Sequence, residues 1–85
     1  MDQTMMFSLK EIEEAMINET LLEVYDALKE RGYNPINQLV GYLISGDPGY
    51  ISNYKDSRRK IMELDRIEIL NTLLIGYMKN KRWEY

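Results

Sequence analysis

The stretch "GYNPINQLVGYLISGDPGYI", Gly32–Ile51, decides how the rest of the chain reads. Asn34-Pro35 is a helix start with a mechanism. The asparagine side chain can accept from an N–H that the first turn leaves unpaired, and proline at the first helical position gives up no needed donor. Ile36, Leu39, Val40, Leu43 and Ile44 then recur at helical spacing as a wide apolar stripe, and Ser45-Gly46 ends the run. Asp47-Pro48 repeats the punctuation, which predicts a single turn through Gly49, Tyr50 and Ile51. The width of the stripe predicts a helix that is largely buried.

Upstream, Ser8 and Glu11 have the spacing of a capping box, and Ile12, Ala15 and Met16 follow at helical intervals before Asn18 interrupts them. The stronger pattern sets Leu21, Val24, Tyr25 and Leu28 on one face and Glu23, Asp26, Lys29 and Glu30 on the other, closing at Gly32. Downstream, Lys55 to Lys60 is polar, with Ile61 and Leu64 as apolar anchors. Asp65 with Glu68 reads either as a second capping box or as part of one continuous helix. Ile67, Leu70, Leu73, Leu74, Tyr77 and Met78 mark a last amphipathic helix, whose negative end suits Lys79, Lys81 and Arg82. The sum is an all-α, compact single domain over 1–85 with three to four helices. Residues 1–10 form an extended N-terminal arm, 11–80 a helical dimerisation body and 81–85 a tail.

With 85 residues, a chain buries only about 60–65% of the surface its unfolded form exposes. No cysteine or histidine is present, which removes disulfides and the usual zinc sites as supports. Association is the remaining common solution, so a homodimer is expected. Tyr33, Ile36, Leu39, Val40, Tyr42, Leu43, Leu70, Leu74 and Tyr77 are its candidate core and interface. Asn34, Asn37 and Gln38 read as caps and a polar contact across that dimer.

The net charge of -3 disfavours attraction to phosphate backbones, so no nucleic-acid partner is expected. The rival from that class is a small helical DNA-binding dimer, with Asn34–Ile51 drawn as a helix-turn-helix. No apolar run is long enough for stable membrane insertion, and a cytoplasmic location is expected. Without histidine or cysteine, and with no paired carboxylates, phosphate-binding loop or metal-spaced cluster, the chain reads as a non-enzyme with no cofactor and no metal.

The Gly32–Ile51 stretch, together with "DQTMMF", "YDALKERG" and the arginine-containing segment from Lys55 to Glu68, resembles the IreB/ReoM family of small regulators from Gram-positive bacteria. The resemblance covers most of the chain, and its twenty-residue centre is specific. It implies a homodimeric helical regulator that a membrane Ser/Thr kinase with extracellular PASTA repeats phosphorylates on the N-terminal arm, and that a cognate phosphatase reverses. The implied output is cell-wall homeostasis and antibiotic tolerance, through ClpCP-dependent turnover of a peptidoglycan-precursor enzyme. By position in the motif, the phosphoacceptor corresponds to Thr4. Asn53 and Met62 stand where relatives can carry arginine.

A phosphate on Thr4 adds about 1.5 to 2 negative charges and strong acceptor oxygens. Arg58, Arg59, Lys60 and Arg66 form the basic cluster outside the tail. On one continuous helix Arg58 and Arg66 share a face while Arg59 points elsewhere, which makes that pair the candidate for phosphate or partner binding. Met5 and Phe7 alternate around Thr4 in the pattern of an extended segment, as candidate latches of the arm onto the body.

Overall fold

The computed structural model describes residues 8–81, and these form helices joined by turns and short irregular links, with no strand among them. Helix α1 spans Leu9–Glu30, α2 Pro35–Ser45, α3 Ser57–Met62 and α4 Arg66–Asn80, with single 3-10 turns at Pro48–Tyr50 and Tyr54–Asp56. Thr4, Met5 and Phe7 lie outside the described residues.

The long helix α1 organises the others, because α2, α3, α4 and the Tyr54–Asp56 turn all pack on it. Its start is fixed by the capping box. The Glu11 N–H donates to Ser8 Oγ at 3.1 Å while the Ser8 N–H donates to Glu11 Oε1 at 3.0 Å. Leu9 and Lys10 are therefore helical, and the body begins two residues earlier than the periodicity alone suggests. Asn18 does not interrupt the helix: it is exposed, and a polar residue on the wet face costs only a few tenths of a kcal/mol of helix propensity.

Ile17, Val24 and Leu28 of α1 meet Tyr42 of α2, Ile51 of the connecting segment, Ile61 of α3 and Ile69 of α4 in one core. Fully burying a side chain of this size stabilises by about 1.5–3 kcal/mol, so this handful of residues dominates the fold. The expectation of a largely buried α2 is corrected here. Only Pro35 and Tyr42 of that helix are buried, while Leu39 and Leu43 are partly covered and Ile36, Val40 and Ile44 are exposed. A short helix resting on α1 along one edge cannot bury so wide a stripe within a single chain.

Helix α4 differs in a similar way. It turns Ile69 and Thr72 to the core, which leaves Ile67, Leu70, Leu73, Leu74 and Tyr77 exposed. Two sides of this helix are apolar, and the periodicity picked out the larger, outward one. Tyr33 is also exposed, so of the nine residues expected in the core or interface only Tyr42 is fully inside the single chain.

The region from Ser57 to Asn80 is two helices. Asp65 accepts from the Glu68 N–H at 3.1 Å and starts α4 afresh after the turn at Glu63-Leu64. The continuous-helix geometry that would align Arg58 with Arg66 is therefore absent, and the two side chains leave different helices.

The entry to α3 carries the backbone strain. Lys55 and Asp56 adopt φ of 55° and 63°, the left-handed region that L-residues avoid. Side chains hold the turn in place. Glu30 at the end of α1 accepts from Lys55 Nζ at 2.7 Å and from the Tyr54 hydroxyl at 3.2 Å. The buried Ser57 hydroxyl donates to the Tyr54 carbonyl at 2.7 Å. The hydrogen bond from Lys55 holds the Glu30 carboxyl below its ordinary value, so this exposed pair contributes above the ordinary carboxylate range and fades as pH falls through the depressed value.

Lys55→Ala removes the contact with Glu30 but keeps the strain, whereas Lys55→Gly removes both. The glycine variant should be the more stable of the two by about 1 kcal/mol in urea unfolding. An alanine variant as stable as the glycine one would show that the left-handed turn carries no cost.

Candidate functional site

The residues singled out by the sequence meet most densely at the corner after α2. Gly46 takes the left-handed cap at φ 77° and its N–H donates to the Tyr42 carbonyl at 2.7 Å. Ser45 Oγ donates to the Gly41 carbonyl at 2.7 Å and accepts from the Asp47 N–H at 2.9 Å. Asp47 Oδ1 accepts from the Gly49 N–H at 2.8 Å, which closes the Pro48–Tyr50 turn. The Tyr50 ring lies over Gly41 so closely that a Cβ there would come within 2.5 Å of it.

Three long side chains tie this corner to the body. Gln38 forks onto Ser52: its Oε1 accepts from the Ser52 N–H at 2.9 Å and its Nε2 donates to the Ser52 hydroxyl at 3.2 Å. The amide expected to reach across a dimer is thus used within the chain. Arg58 Nε donates to the carbonyls of Pro48 at 3.1 Å and Ile51 at 2.9 Å. Arg66 Nη1 donates to the Leu43 carbonyl at 3.0 Å, and its guanidinium lies on Gly46, where a Cβ would sit 2.7 Å from Nη2. A cation at the carboxyl end of α2 also meets the negative end of that helix's dipole.

The four expected basic residues do not converge. Arg58 and Arg66 are half-buried at the corner. Arg59 points to solvent between Asp56 at 3.3 Å and Glu63 at 3.0 Å, and Asp56, more than Glu63, raises its pKa. Lys60 faces α1, with Glu23 at 4.0 Å. For Arg58 to bind an anion through Nε, it would have to release two main-chain carbonyls.

Two surface grooves with large apolar side chains in their walls flank this framework. One, of about 240 Å³, lies between α1, α2 and α4 and is apolar, with Leu21, Leu22, Ile36, Val40, Leu43 and Leu73 in its walls. The other, of about 320 Å³, lies between the first half of α1 and the α3–α4 turn, where Met16, Ile17 and Leu64 are rimmed by Glu13, Glu63, Asp65 and Glu68. The sequence reading missed this second groove, since its walls come together only through the break at Asp65. Among the described residues no group of acidic side chains is placed to hold a metal ion. No helix of the described residues is long and apolar enough to cross a membrane. Asn34–Ile51, the segment drawn as helix-turn-helix, holds one α-helix and a 3-10 turn, without a second helix to enter a groove.

Arg58→Ala strands the carbonyl of the fully buried Ile51 and takes one of two donors from that of Pro48, which keeps the Ile51 N–H at 3.0 Å. It should cost about 2 kcal/mol in urea unfolding, because hydrogen bonds from a charged donor are worth roughly 1.5–3 kcal/mol each before water returns to the site. Arg58→Lys should recover less than half of that loss. Full stability in the alanine variant would remove Arg58 from the framework of the corner.

Residues 2–79 match the IreB regulatory phosphoprotein family. The match takes in the "DQTMMF" segment, the whole of α1, α2 and α3 and all but the last residue of α4, and the chain belongs to the IreB regulatory phosphoprotein family.

Proposed function

We propose that this protein is a non-catalytic switch in cell-wall control, set by phosphate on Thr4. A membrane Ser/Thr kinase with PASTA repeats adds the phosphate and a cognate phosphatase removes it. The downstream effect is on peptidoglycan homeostasis and antibiotic tolerance, through ClpCP-dependent turnover of a precursor enzyme. The observation that carries this reading is the extent of the family match, which reaches back to residue 2 and so includes Thr4.

Three other hydroxyls are poorer acceptors. Ser8 Oγ caps α1, Thr72 is buried in α4, and Thr20 sits in the middle of a helix. A kinase needs a segment it can draw into its own cleft, and Thr20 and Thr72 are held inside helices while the Ser8 hydroxyl is engaged by the Glu11 N–H.

The working form is a homodimer in this reading. Ile36, Val40 and Leu73 are exposed around the groove of α1, α2 and α4, and Leu74 and Tyr77 are exposed further along α4, the kind of apolar surface that marks an interaction site. A second copy covers that face and supplies the burial a thin core lacks.

Incubation with the cognate kinase followed by mass spectrometry should place phosphate on Thr4. Modification confined to Ser8, Thr20 or Thr72 would refute the assignment. In sedimentation, the unmodified protein should run as a dimer and Val40→Asp as a monomer. A wild-type monomer at tens of micromolar would overturn the dimeric reading.

A further inference from the structure

The groove beside the start of α1 has a specific occupant within reach. Leu9 is 82% exposed, Ile12 47% and Met16 56%, an apolar strip along the first two turns of α1. Ser8 is the N-cap, so Phe7 holds the position before the cap and Ile12 the fourth helical position. Apolar residues at those two positions are the pattern of a hydrophobic staple, which fixes the angle at which a chain enters a helix.

Reach decides between the two grooves. Met5 lies three residues before Ser8 and can extend at most about 10 Å from it. Met16 is about 10 Å along the helix from Leu9, whereas Leu21 and Leu22 begin about 18 Å away. Met5 and Phe7 can therefore fill the groove at Met16 and Leu64 of their own chain but fall short of the apolar groove between α1, α2 and α4.

Charge decides what phosphate does there. Thr4 lies within about 14 Å of Ser8 and so within range of the rim formed by Glu13, Glu63, Asp65 and Glu68. These four carboxylates face two nearby cations, Lys10 at 3.9 Å from Glu68 and Arg59 at 3.0 Å from Glu63. The positive end of α4 is already satisfied by the Asp65 cap. Arg66, two residues before Glu68, leaves α4 on nearly the opposite side to bind the Leu43 carbonyl.

We propose that residues 4–7 dock on their own chain, Phe7 against Ile12 and Met5 toward Met16 and Leu64, and that negative charge at Thr4 expels the arm from this acid-rimmed groove. The release step rests on Thr4 as the phosphoacceptor; the docking of the unmodified arm does not.

The chain has no cysteine of its own, so Gln3→Cys takes a single nitroxide on the full-length protein. Amide signals of Glu13, Met16, Leu64 and Asp65 should lose more than half their intensity, while those of Gly46 and Arg58 keep theirs. Thr4→Glu should lower the docked fraction roughly tenfold and restore the signals. Phe7→Ala should restore them too, with the core resonances unmoved. Broadening centred on Gly46 and Arg58, broadening unchanged by Thr4→Glu, or no broadening at all would overturn the proposal. So would broadening seen only when isotope-labelled chains are mixed with separate spin-labelled ones. Because Thr4→Glu needs no kinase, a negative result here leaves the phosphoacceptor assignment standing, and phosphate mapped to another residue leaves the docking intact.

Discussion

The pair of hydrogen bonds from Arg58 Nε to the carbonyls of Pro48 and Ile51 is the constraint on which the rest of the fold depends. Ile51 must enter the core, where it has no exposed surface, yet it comes from an irregular segment whose main chain has no ladder to join. A buried carbonyl without a partner costs about 1–3 kcal/mol, comparable to what burial of the side chain returns. Arg58 supplies the partner from α3, and Gln38 supplies one to the next residue, Ser52, from α2. Arg66 does the same for the Leu43 carbonyl near the end of α2. With the corner held, α2 can rest on α1 by one edge and leave its broad apolar side open.

That arrangement sets how the charges are used. Two of the guanidinium groups are turned inward onto main-chain carbonyls, while Glu13, Glu63, Asp65 and Glu68 stand around an open groove beside the entry to α1. Two members of a basic cluster in the sequence thus become structural support, and Glu13 of α1 joins Glu63, Asp65 and Glu68 to make an acidic rim. The apolar groove of α1, α2 and α4 is separate from it in place and in chemistry.

Much of the architecture was legible in local chemistry. Ser8 with Glu11, Asn34 with Pro35, Gly46, and Asp47 with Pro48 all act where their spacing placed them, because caps and turns depend on residues a few positions apart. What resisted reading was long-range. Asp65 allowed both a cap and a continuous helix, and only the packing of α3 and α4 on α1 selects the break. Ile69 and Thr72 face the core although the larger apolar stripe of α4 lies on its other side, since periodicity ranks stripes by size and not by which neighbour is present. The partners of Arg58 and Arg66 are backbone carbonyls, which every residue carries and no motif marks. The consecutive left-handed residues Lys55 and Asp56 likewise have no glycine to announce them.

The most direct measurement is the Nε–Hε resonance of Arg58 in the unmodified protein and in protein phosphorylated on Thr4. A proton held between two carbonyls should exchange slowly with water, and its signal should stay in place when the arm gains charge. An Arg58 proton that exchanges as freely as that of a surface arginine, or that moves on phosphorylation, would contradict an arginine built into the fold and would return it to the role of phosphate receptor.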